Sequence, residues 1–241
     1  MRSQTFADAL SHRVKTAAGT PLVVHYDHSA GSRIELSGIT FANWVAKTSS
    51  LAVDVLGLER GDRVLLDLPA HWIEVVWVGA ALNVGLVLTD DPSSAGLVVV
   101  GPDGLEGSYG SAQVVATSLH PFALRFDSAL PAEVVDFGAE VFGQPDAFAP
   151  YDPPDHDDAA LESTGAAGAR TRTMTELLDE AAAVEPGNRT ITDVPCRRHP
   201  SLLLGPLLGG GVTVWSTGGD AAQWADAMRA ERITAEVRQG V

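Results

Sequence analysis

Lysine is nearly missing from these 241 residues: of 16 basic residues only Lys15 and Lys47 are lysines, and the rest are arginines. Chemistry that needs an ammonium group must find it in the first fifth of the chain. The single cysteine, Cys196, excludes an internal disulfide and a four-cysteine zinc site. Positive charge is scarce overall, and a formal net charge of −15 argues against nucleic acid or an anionic membrane as partner, since both are held by basic surfaces. Long apolar runs are absent too: LVVV at 97–100 is short, and LLLGPLLGGGVTVW at 202–215 is broken by glycine, so neither spans a bilayer. The N-terminus lacks the charged and apolar regions of a secretion signal. These absences predict a soluble, cytoplasmic chain that folds without staples, and a hydrophobic content of 45% supplies its core.

What is present is an alternation of short strands and helices. A helix within 1–20 precedes strands at 21–26 and 33–36, with the polar, glycine-containing DHSAGS as their hairpin loop. Ser37 or Thr40 caps a helix in which Trp44, Val45, Leu51, Ala52, Val55 and Leu56 recur at helical spacing, and Gly57 stops it. RVLLDLP at 63–69, HWIEVVWVGAALNVG at 71–85 and LVLT at 86–89 read as strand, helix, strand. The strands are almost continuously apolar, the mark of a βαβ unit in a buried parallel sheet. Further strands are expected at 96–101, 114–119, 190–194 and 211–215, and helices at 173–184, 201–208 and 220–233; 132–142 fits either period. The expectation is an α/β fold with a largely parallel sheet flanked by helices. It forms one domain with two candidate lobes, 1–147 and 159–241, joined by the acidic, proline-rich loop 148–158.

The stretch ELSGITFANWVAKTSSLAVDVLGLERGDRVLLDLPAHWIEVVWVGAALNVGLVLTDDP resembles the N-terminal region of the adenylate-forming superfamily of acyl-CoA synthetases, peptide-synthetase adenylation domains and luciferases. There a capped helix ends L-G-x-x-x-G-D-x-V, leads to a strand ending near L-P, and continues to a helix closing on glycine and a strand before D-P. Here the same order is Leu56, Gly57, Gly61, Asp62, Val64, Leu68, Pro69, Gly85, Asp91 and Pro92. GPLLGGGVTVW followed by an acidic helix is similar to the family's leucine-rich helix, glycine turn and strand. Within the superfamily the chain resembles a small actinobacterial group whose members look like the amino-terminal portion of an AMP-binding enzyme.

The resemblance places LESTGAAGARTRT, residues 161–173, where the family carries its phosphate loop, [ST]-S-G-T-T-G-x-P-K. Ser163 and Thr164 take the first hydroxyl positions and Gly165 and Gly168 the glycines; Ala166 and Ala167 replace the threonines, and Arg170 and Thr171 replace proline and lysine. Such a loop turns backbone N–H groups, hydroxyls and a lysine toward phosphate. Alanine supplies neither donor nor charge, whereas Arg170 and Arg172 could supply guanidinium forks. The family's Y-G-x-T-E and R-T-G-D segments and its lysine-bearing C-terminal domain have no counterpart here. No residue is therefore assigned as catalytic.

Two readings stay open, with ATP or AMP as the ligand the resemblance implies. One is a non-catalytic or catalytically reduced homologue acting as a binding or interaction module, with a homodimer or partner protein as candidates. The other is a nucleotide-binding adenylate-forming enzyme completed by a partner chain. Other constellations are weaker. His25, Asp27 and His28 would point in differing directions as metal ligands, and DHDD at 155–158 lacks the spaced oxygens of a calcium loop. Cys196 and His199 in CRRHP have no third, orienting group, which favours a structural cysteine. Trp72 is expected to pack rather than to face a cleft. No metal site is expected.

Overall fold

The computed structural model describes residues 5–165 and 168–239. Helix α1 (Phe6–Ala17) starts from a reciprocal cap between Thr5 and Asp8. It leads into the antiparallel pair β1 (Pro21–Asp27) and β2 (Ser32–Ser37). The Ser37 hydroxyl caps α2 (Gly38–Ser50), which runs on through a π-helical turn at Leu51–Val55. β3 (Arg63–Asp67), α3 (Trp72–Val84) and β4 (Val87–Leu88) then form the expected parallel βαβ unit. Gly85 closes α3 in the left-handed conformation at φ 87°, where Pro154 packs so closely that a Cβ would lie 2.9 Å from its ring.

Next come β5 (Leu97–Val100), β6 (Gln113–Ala116), β7 (Val134–Asp136) and the short α4 (Phe137–Glu140). The ambiguous stretch 132–142 thus holds both a strand and a helical turn: Asp136 ends the strand and accepts the Gly138 N–H to begin the helix. The chain continues through β8 (Ala159–Gly165), β9 (Gly168–Thr173), α5 (Met174–Ala182), β10 (Arg189–Thr192), α6 (Ser201–Gly209), β11 (Val212–Thr217), α7 (Ala221–Ala230) and β12 (Ala235–Val237). The Thr173 hydroxyl caps α5 by accepting the Glu176 N–H. Pro206 inside α6 cannot donate to the Leu202 carbonyl; the Thr213 hydroxyl of β11 donates to it instead, at 2.6 Å.

The strands make two sheets, ordered β12-β10-β11-β1-β2 and β7-β6-β5-β3-β4-β8-β9, parallel except for the terminal pairs β1–β2 and β8–β9. Strands from both sides of segment 148–158 enter each sheet. Helix α3 lies between them, touching β1 of one sheet and β3 and β4 of the other. It is apolar all round and buried nearly throughout, with Trp72, Ile73, Val76 and Trp77 in the core. Close approach of α2 depends on Gly79, where a Cβ would meet Val45 Cγ2 at 2.8 Å. Trp224 and Ala227 of α7 cover the other face of the five-stranded sheet, with Met228 and Ile233 partly buried beside them. Segment 148–158 is held to the fold: Arg60 pairs with Asp158 at 2.6 Å and Asp152 at 3.2 Å, and donates to the Pro153 carbonyl. Among the described residues no helix is long and apolar enough to cross a membrane.

Candidate functional site

Residues 161–165 and 168–173 lie in two paired strands rather than in an open loop. β8 and β9 pair antiparallel with Ser163 opposite Arg170, Thr164 opposite Ala169 and Gly165 opposite Gly168. Gly168 takes φ 99°, a conformation that suits glycine at a hairpin. Ala166 and Ala167 lie outside the described residues. Three polar groups of these strands have partners of their own. The Thr164 N–H donates to Asp90 Oδ2 at 2.8 Å, Arg172 pairs with Glu180 of α5 at 2.8 Å, and Arg170 approaches the same carboxylate at 3.9 Å. The lysines are engaged elsewhere: Lys47 donates to the Gln144 carbonyl and pairs with Asp146 at 3.1 Å, while Lys15 lines a groove between α1 and α5.

At the base of the hairpin a cavity of about 470 Å³ opens over the carboxyl ends of β3, β4 and β8. This is the edge of a parallel sheet where crossover connections leave a crevice. Asp67 follows from β3, Thr89 and Asp90 from β4, and Ser163 and Arg172 from the hairpin; Arg197 and Arg198 close it from the turn after β10. Asp67 accepts the Tyr109 hydroxyl at 3.1 Å. Arg172 is tied to Glu180, and Arg197 donates to the Leu68 carbonyl at 2.5 Å. Arg198 is exposed and makes no ion pair among the described residues.

Glu74, the one acid in α3, fixes that arginine turn. Its two oxygens accept the Cys196 N–H at 2.9 Å and the Arg197 N–H at 2.8 Å, and the Arg197 guanidinium stands 3.5 Å away. Complete burial pushes its carboxyl up to about 7, against the pull of Arg197 and the two N–H donors. Reading the sequence missed Glu74, Asp90, Glu180 and the cavity role of Arg197 and Arg198. The available signal was a lone acid in an otherwise apolar helix, which needs a buried partner somewhere in the fold.

The remaining constellations separate. His25 turns inward to meet His71 and Thr217, whereas His28 stacks on Tyr26 and lies 2.9 Å from Ser216 Oγ. Asp27 accepts the N–H groups of Ser29 and Ala30. Cys196 is buried, its thiol pushed well above its usual value by burial and by Glu74, while His199 is exposed. His156 pairs with Asp155 beside the Arg60 clamp. Trp72 is 2% exposed and meets Trp44 edge to face at 5.1 Å.

No family model matches the chain. Over 132 residues it is 36% identical to a Mycobacterium tuberculosis (strain ATCC 25618 / H37Rv) protein described as a TIGR03089 family protein, a match covering 50% of this chain and 52% of the relative. Among solved structures, a Brucella canis acyl-CoA synthetase aligns over 97% of this chain and 47% of its own, at a TM-score of 0.80 and 18% identity. An acetoacetyl-CoA synthetase from Streptomyces lividans aligns over 98% of this chain and 42% of its own, at 0.77 and 19%. The chain therefore has the α/β fold seen in acyl-CoA synthetases, and spans about half the length of the proteins it matches.

Proposed function

We propose that this chain works as a small-ligand binding module built on the acyl-CoA synthetase fold, catalytically reduced at the loop that resembles a phosphate cradle. The observation that carries the reading is the strand pair 159–165 and 168–173. The two backbones pair with each other, the Thr164 N–H is held by Asp90, and Arg170 and Arg172 face Glu180. Adenylate formation must stabilise negative charge on a transferring phosphoryl group, and lost positioning donors cost orders of magnitude in rate. An acidic partner on each side of the hairpin works against that.

The ligand site in this reading is the cavity at the carboxyl ends of β3, β4 and β8. Arg198 would receive an anionic group there, and Asp67 and Asp90 would receive hydrogen-bond donors. Pyrophosphate exchange measured with ATP, magnesium and a panel of carboxylic acids should stay at background; exchange clearly above it overturns the reading. A second reading, a nucleotide-binding enzyme completed by a partner chain, is favoured by Ser163 and Arg172 lining that cavity. Calorimetric titration with ATP and AMP separates the two: no heat at millimolar nucleotide removes the second.

A further inference from the structure

We propose that β2 is a docking edge for a second copy of this chain, the two β2 strands pairing antiparallel about Ile34. β2 ends the five-stranded sheet and has β1 as its one strand partner. Its other edge offers main-chain N–H and C=O groups that have no partner among the described residues. Six residues long and free of proline, the strand can continue the ladder. Native sheets commonly disarm such an edge with charge. Here the charges select a partner.

Arg33 and Glu35 project from the same face of β2, because side chains alternate along a strand, and they pair at 2.7 Å. Glu231 at 2.8 Å and the Tyr26 hydroxyl at 3.1 Å fix the Arg33 guanidinium further, so the charges stand in place before a partner arrives. When the strand meets its own copy about Ile34, Arg33 falls opposite Glu35 of the second copy, and Glu35 opposite Arg33. Four charges then alternate in sign on one face. On the other face, where Leu36 enters the core and Ile34 packs against it, Ile34 meets its counterpart. Centring the pair on Arg33 or on Glu35 would set like charges opposite each other, so the register is specified as well.

The other terminal strands lack this self-complementarity. β7 and β12 have three residues each. β9 matches β2 in length, but pairing it with its copy about Thr171 would set Arg170 against Arg172, and Arg172 is already bound to Glu180. A formal charge of −15 repels two copies at long range, which makes complementary charges at the contact a condition for pairing. A contact along one strand buries little apolar surface, so the dimer is a reversible one.

Sedimentation velocity on the full chain should show a monomer–dimer equilibrium at micromolar concentration; a mass that stays monomeric into the millimolar range overturns the proposal. Arg33→Glu sets acids against acids and Glu35→Arg sets arginines against arginines, so each variant alone should associate about tenfold more weakly than the parent. An equal mixture of the two sets acids against arginines and should form a mixed dimer about as tight as the parent. A variant that dimerises as well as the parent, or a mixture no tighter than its parts, overturns the pairing. Arg33 also holds Glu231; should Arg33→Glu not fold, hydrogen–deuterium exchange on the parent locates the contact. Protection of 32–36 should rise with chain concentration while that of 168–173 stays constant, and unchanged protection of 32–36 overturns the proposal. No ligand enters these measurements, so their failure leaves the binding reading untouched.

Discussion

At the scale of single residues, the cavity depends on a side chain that does not line it. Glu74 lies in an apolar, almost wholly buried helix and accepts two consecutive main-chain N–H groups, so the turn at Cys196 and Arg197 has one orientation relative to α3. In Glu74→Gln the amide nitrogen would have to face one of those donors and leave it unsatisfied in the interior. The expected loss is about 2–3 kcal/mol, read as a lower denaturation midpoint with an unchanged slope. A variant as stable as the parent would mean that the turn is held from elsewhere.

Among the elements, the β8–β9 hairpin sets what the chain can bind, and Glu180 on the neighbouring helix sets the charge of the hairpin. Glu180→Ala should cost less than about 1 kcal/mol, as for most exposed ion pairs, while leaving Arg170 and Arg172 without their shared carboxylate. Binding of inorganic phosphate or ATP, measured by calorimetry, should then be stronger than in the parent; equal affinity would show that Glu180 does not screen the site. This hairpin was hard to read from sequence, whereas β3, α3 and β5 were plain. LVVV is a strand buried on both faces and says so in composition, while GARTRT forms an exposed edge strand with no apolar face to alternate. The VVDFGAE segment holds two elements too short for either period to emerge. The arginine turn escaped notice because its meaning lies in contacts with Glu74 and Leu68, far away in the chain.

For the molecule as a whole, we propose a single folding unit. β1 and β2 share a sheet with β10, β11 and β12, and β8 and β9 extend the sheet of β3 and β4, so both sheets need chain from before and after 148–158. Arg60 further clamps that segment through Asp152 and Asp158. Expressed separately, fragments 1–147 and 159–241 should each lack cooperative unfolding, and mixing them should restore it; a sharp thermal transition in either fragment alone would restore the case for independent lobes. The same topology has a consequence in time. β1 leaves the ribosome well before its inner neighbour β11, with Val23 to Asp27 pairing on Val212's strand at Thr213 to Thr217. During synthesis one side of the β1–β2 ribbon must wait until β11 has been made. Such an unpaired edge can be joined by another nascent copy, which makes slow translation between β2 and β11 a hazard for this protein's yield.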